Sequence, residues 1–72
     1  MKIDIVKMTH SKVRSYYEVF EAGTSIRLGR LYGAGGGAWI VNFIDVPNGP
    51  KGARGSFEDV KELAIGLADG LG

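Results

Sequence analysis

Cysteine is missing from this chain. No disulfide can staple the fold, and no thiolate can hold a metal. Histidine occurs once, as His10. It has no partner in the pattern for nucleophilic or metal chemistry and reads as a turn residue. Charge of one sign is also lacking: the formal net charge is +1. That excludes a polyanionic DNA mimic and a strongly basic nucleic-acid tail. No apolar run approaches the ~20 residues that span a bilayer. The opening Met1-Lys2-Ile3-Asp4-Ile5 lacks the apolar core of an export signal, so a cytosolic protein with no membrane partner is expected. The carboxylates Asp4, Glu18, Glu21 and Asp45 fall on strands or strand ends with no pairing signal, and a chain this short has little room for a walled pocket. The expectation is a protein without catalysis, metal, cofactor or small-molecule substrate.

What is present is enough for one domain. The 72 residues are 44% hydrophobic, ordinary for a globular chain and too apolar for a disordered one. A chain of this size buries only about 60% of the surface its unfolded form exposes. A total stability on the order of 4–11 kcal/mol follows from ~0.05–0.15 kcal/mol per residue. Residues 1–30 carry six basic and three acidic side chains, and residues 31–72 carry three and five. The first half is therefore mildly positive and the second mildly negative.

Residues 2–8 are rich in β-branched types (Ile3, Ile5, Val6) and read as a strand, with residues 9–12 as a polar turn. Residues 13–21, dominated by aromatic and β-branched side chains, form a second strand. Ala22-Gly23-Thr24 makes a hairpin loop in which Gly23 supplies a left-handed residue. Residues 25–32 return as a third strand, and Gly33 to Gly37 form a flexible link. Residues 38–46 are the most strand-like stretch, stopped by Pro47-Asn48-Gly49-Pro50. Residues 51–55 read as irregular loop. Ser56 then caps a helix with acids in its first turns, and Phe57, Val60, Leu63, Ala64, Leu67 and Leu71 share one stripe. The predicted fold is α+β: an antiparallel four-stranded β-meander packed against one C-terminal α-helix.

Alternation along the second and fourth strands leaves large apolar side chains on both faces of this sheet. One helix covers one face. Either the sheet curls and residues 1–12 cover its second face, or that face docks on a partner. The candidates for a protein-binding face are Tyr16, Phe20, Leu31, Ile40 and Ile44, and the partner is another protein or a second copy of this chain. Gly33-Ala34-Gly35-Gly36-Gly37-Ala38 matches a dinucleotide-binding fingerprint in letters only, because a strand and not a helix follows it. Arg14, Arg27 and Arg30 lie among Tyr16, Tyr32 and Trp39, a mixture suited to phosphates and bases or to a core with cations at its rim. Lys51 and Arg54 sit in a glycine-rich stretch entering the helix, where an anion can meet free amides.

The phrase from Ala38 to Asp45, followed across a loop by Gly55-Ser56-Phe57-Glu58-Asp59-Val60-Lys61-Glu62-Leu63-Ala64, resembles the AP2/integrase-type DNA-binding domain. Those domains are three-stranded sheets with a C-terminal helix, and they read DNA with the sheet. The resemblance implies phosphate contacts by Arg14, Arg27, Arg30, Lys51 and Arg54. The same phrase is similar to short proteins of phages and mobile elements, including inhibitors that bind host proteins. The leading expectation is therefore a protein-interaction module of that kind, with an AP2-like DNA-binding domain as the alternative.

Overall fold

The computed structural model describes residues 1–10 and 13–71. Five strands run in chain order, β1 (Ile3–His10), β2 (Val13–Glu21), β3 (Arg27–Gly35), β4 (Ala38–Asn42) and β5 (Lys51–Arg54), followed by helix α1 (Phe57–Asp69). They form one antiparallel sheet in the order β1-β2-β3-β4-β5. The α+β meander with a C-terminal helix is thus the observed fold, with one more strand than the pattern predicts.

The added strand is β5. Lys51-Gly52-Ala53-Arg54 contains no β-branched or aromatic residue, so nothing in its own composition favours a strand. Pairing with β4 makes it one, in the register Trp39↔Arg54 to Asn42↔Lys51. Gly52 also lets α1 approach: a Cβ there would lie 2.7 Å from Leu63 Cδ2. Thr9 and His10 belong to β1 rather than to a turn, and Ser11 and Lys12 lie outside the described residues.

The glycine link is mostly paired. Gly33, Ala34 and Gly35 extend β3, and Gly35 faces Ala38. Only Gly36 and Gly37 remain as the loop, with φ 63° and 81°. Two successive positive φ values are what a two-residue hairpin between right-twisted strands needs. β4 ends at Asn42 instead of Val46. There the chain turns in: the Phe43 amide donates to the Pro50 carbonyl and the Asp45 amide to the Leu28 carbonyl, both at 3.0 Å. Phe43 is drawn into the core.

Register determines which face is core. Tyr17, Leu31, Val41 and Gly52 face one another across four strands. Val19, Leu31, Val41 and Phe43 are completely buried with Val60, Ala64 and Ala68 of α1. Each fully buried Val, Leu or Phe contributes roughly 1.5–3 kcal/mol relative to exposure. The small Ala64 and Ala68 keep the helix close to the sheet. At its N-terminal end Phe57 stacks on Tyr17 (centroids 4.4 Å apart) and meets Trp39 edge-on at 5.1 Å. Ser56 caps the helix as expected, its Oγ accepting from the Asp59 amide at 3.2 Å.

Leu31 therefore belongs to the core and not to a docking face. Its alternation in the third strand is compatible with either side, and the pairing with Tyr17 and Val41 places it beneath the helix. Residues 3–10 are paired into the sheet as an edge strand, so they do not lie over its second face.

Candidate functional site

The face turned away from α1 is built from the alternate residues of each strand. One row across it runs Val6, Glu18, Arg30, Asn42, Lys51. Met8 faces Tyr16 on the neighbouring row, and Tyr32, Ile40 and Ala53 continue that row on β3, β4 and β5. Phe20 faces Asp4 on one side and Arg27 on the other. Tyr16, Phe20 and Ile40 are half-buried, while Val6, Tyr32 and Ile44 are exposed by 45%, 36% and 64%. Four of the five expected apolar positions thus lie on or beside the uncovered side of the sheet, and Leu31 does not.

Polar groups on this side are unevenly satisfied. Arg27 holds two carboxylates: Nη1 donates to Glu18 Oε2 and Nε to Asp45 Oδ2, each at 2.8 Å. Glu18 is 7% exposed, and a carboxylate that deep requires such a partner. The hydrogen bond to Glu18, then that to Asp45, raises Arg27 above its ordinary pKa. Sequence alone gives no sign of this triad, because its members are nine and eighteen residues from Arg27.

Arg30 is different. It faces Glu18 across the β2–β3 pair, but Glu18 is bonded to Arg27. The Arg30 guanidinium instead lies over the Tyr16 ring, 5.7 Å from its centroid. Among the described residues no carboxylate pairs with it. Arg30, Tyr16, Tyr32, Asn42, Ser15 and Ile44 line a shallow, open hollow. An arginine above an aromatic ring beside apolar rims can seat a carboxylate or phosphate together with a planar or apolar group.

Compared with known proteins, the chain matches no family model, no curated protein and no solved structure. The site is therefore read from its own geometry.

The five cations considered for phosphate contact do not form one surface. Arg30 and Lys51 share the open face. Arg27 is engaged by its two carboxylates. Arg54 faces Trp39 on the helix side and lies near Asp59 and Glu62. Arg14 falls in β2, and its side chain lies outside the described residues. Among the described residues no three His, Cys, Asp or Glu side chains converge to hold a metal ion, and no helix is long and apolar enough to cross a membrane.

Proposed function

We propose that this chain is a non-enzymatic protein-interaction module that docks on another protein through the open face of its sheet. The observation that carries this reading is the uncovered face itself. Tyr16, Phe20, Tyr32, Ile40 and Ile44 remain partly or largely exposed there. Large apolar side chains left open on both sides of the polar row Glu18, Arg30, Asn42 and Lys51 mark an interaction surface. Arg30 and Lys51 add positive charge without a paired acid among the described residues. The matching partner surface is apolar with a carboxylate placed to meet Arg30, since a buried interface arginine needs a counter-charge. A phage or mobile-element regulator or inhibitor of a cytosolic host protein is the concrete form of this reading. It rests on the resemblance in size and strand–loop–helix organisation.

The second reading is an AP2-like domain that reads DNA with its sheet. Arg30, Lys51, Tyr16 and Tyr32 on one face favour it. The commitment of Arg27 to Glu18 and Asp45, and the position of Arg54 on the other face, count against it. Among the described residues Arg30 and Lys51 are the cations on the open face without a paired acid, and two cations neutralise few phosphates.

One comparison separates the two readings. The immobilised chain is used to capture proteins from host extract, and the soluble chain is titrated with double-stranded DNA at low and moderate salt. The docking reading expects a captured protein that is lost with Ile40→Asp or Phe20→Asp and is little affected by salt. Salt-steep DNA binding that is lost with Arg30→Ala, with no capture dependent on Ile40, would replace it with the DNA-binding reading.

A further inference from the structure

The turn between β4 and β5 holds a reactive pair of residues that the packing itself requires. The Gly49 amide donates to the Val46 carbonyl at 2.8 Å and closes a four-residue turn, Val46-Pro47-Asn48-Gly49. Pro47 suits the first central position, because its ring fixes φ. Asn48 takes the second with φ 57°, and among the described residues it is the one non-glycine residue with positive φ. This is the pattern of a type II turn, whose second central position is filled by glycine or asparagine. A Cβ on Gly49 would collide with the Phe43 carbonyl oxygen and lie 2.9 Å from that of Val46, so glycine is needed there.

Asparagine before glycine is the pair most open to loss of the side-chain amide. The Gly49 backbone nitrogen gives its proton to solvent base and attacks Asn48 Cγ. The bond from Cγ to Nδ2 breaks, ammonia leaves, and a five-membered succinimide remains. Water then opens either ring carbonyl, giving aspartate at position 48 or an isoaspartyl link whose main chain runs through the side-chain carbons. Glycine hinders the attack least, because it sets no side chain beside its nitrogen, and the exposed Asn48 leaves water free to enter. The closed turn blocks the first step. Its nitrogen is held on the Val46 carbonyl and must swing from there toward the Asn48 side chain before the ring can form.

We propose that Asn48–Gly49 is a covalent modification site, deamidated when this turn opens, and that the isoaspartyl product keeps the turn from closing again. The isoaspartyl link adds a main-chain carbon between the two residues. Gly49 is then displaced from its place against the Phe43 carbonyl, and Pro50 with it, whose carbonyl accepts from the Phe43 amide at 3.0 Å. That bond stands beside Asn42↔Lys51, an end pair of β4 and β5. The same loop sets Ile44 at the hollow of the open face and Asp45 on Arg27. Modification thus loosens β5, the ion triad and one rim of the open face together. The site does not depend on either functional reading, because it follows from the turn alone.

The composition makes the test specific. Asn42 and Asn48 are the two asparagines, and there is no glutamine. The mass gained when an amide becomes a carboxylate can therefore come from two positions, and Asn42 precedes the bulky Phe43. Asp69-Gly70 can form the same ring, but without a change of mass. The full chain is incubated in mildly alkaline buffer, folded and in urea, and its peptide fragments are followed by mass spectrometry. The gain is expected on the fragment holding Asn48, about tenfold or more slower in the folded chain, because local opening gates the reaction. Asn48→Gly keeps a residue suited to positive φ and is expected to abolish the gain. The isoaspartyl form is made in urea, separated by ion exchange, identified with an isoaspartyl methyltransferase and returned to native buffer. It is expected to melt below the unmodified chain. No gain at Asn48 in urea, a folded chain less than about tenfold slower, or an isoaspartyl form that melts with the unmodified chain would each overturn the proposal.

Discussion

Replacing Gly29 with alanine is expected to be among the most damaging single-methyl changes in this protein. Gly29 is buried in β3, where the chain leaving β4 passes directly over it. A Cβ there would lie 2.1 Å from the Asn42 carbonyl oxygen, 2.6 Å from Phe43 Cα and 2.9 Å from the Asn42 carbonyl carbon. Favourable contacts between carbon atoms are ~3.5–4.0 Å long, so the backbone at Asn42–Phe43 must move by about 1 Å. A side chain can rotate away, but backbone cannot move without taking its neighbours. Here those neighbours are Val41 and Phe43, both completely buried, and the Phe43 amide bonded to Pro50. Ordinary over-packing costs roughly 1–3 kcal/mol, and a backbone obstacle puts Gly29→Ala at the upper end, about 3 kcal/mol. At ~4–8 °C per kcal/mol for a domain of this size, the melting temperature falls by about 12–24 °C. Thermal melts by circular dichroism measure this, with Gly33→Ala as the control. Gly33 is in the same strand, but its added methyl would have no neighbour nearer than the Ala38 carbonyl oxygen at 4.0 Å. A Gly29→Ala protein melting within about 4 °C of wild type would refute the close passage of the Asn42–Phe43 backbone over β3.

Two further changes test the helix and the ion triad. Gly66→Ala is expected to stabilise the protein by roughly 0.5–1 kcal/mol, since Gly66 is an exposed position within α1 and its Cβ would meet nothing within 4 Å; an unchanged or lowered urea midpoint would contradict this. Arg27→Met is expected to lower the melting temperature, because it strands the Glu18 carboxylate at 9% side-chain exposure. The double variant Arg27→Met/Glu18→Gln is expected to recover part of the loss, and a strictly additive double variant would show that the pair is not coupled. A base whose pKa is raised on folding stabilises fully below its unfolded value and loses that contribution only as pH rises through the folded one. The Arg27 shift is upward from an already alkaline value, so its contribution is expected to stay constant across neutral pH.

The open face was only partly legible. Tyr16, Phe20, Ile40 and Ile44 stand out as apolar residues on the alternation opposite to Tyr17, Val19, Val41 and Phe43. Leu31, expected on the same face, belongs to the core; β3 carries glycine two residues to either side of it and shows no clean period that would separate the two faces. The separate behaviour of Arg27 and Arg30 has no local signal either. Which arginine is neutralised depends on Asp45, brought to Arg27 only when the chain turns after Asn42.

The amino-acid sequence by itself determined the local elements: β2 from its aromatic and β-branched run, the left-handed turn at Gly23 (φ 76°), and the helix start from the Ser56 cap and its acidic first turn. These depend on interactions within a few residues, so a short window contains their cause. The tertiary structure decided β5, whose four residues become a strand only by pairing with β4. It also decided the end of β4 at Asn42 and which apolar face lies beneath α1. The two faces differ once the strands are paired: Glu18, Arg30, Asn42 and Lys51 line up across the face away from α1. The choice falls to the register that aligns Tyr17, Leu31, Val41 and Gly52, and Gly52 leaves room for Leu63 of the helix on that side.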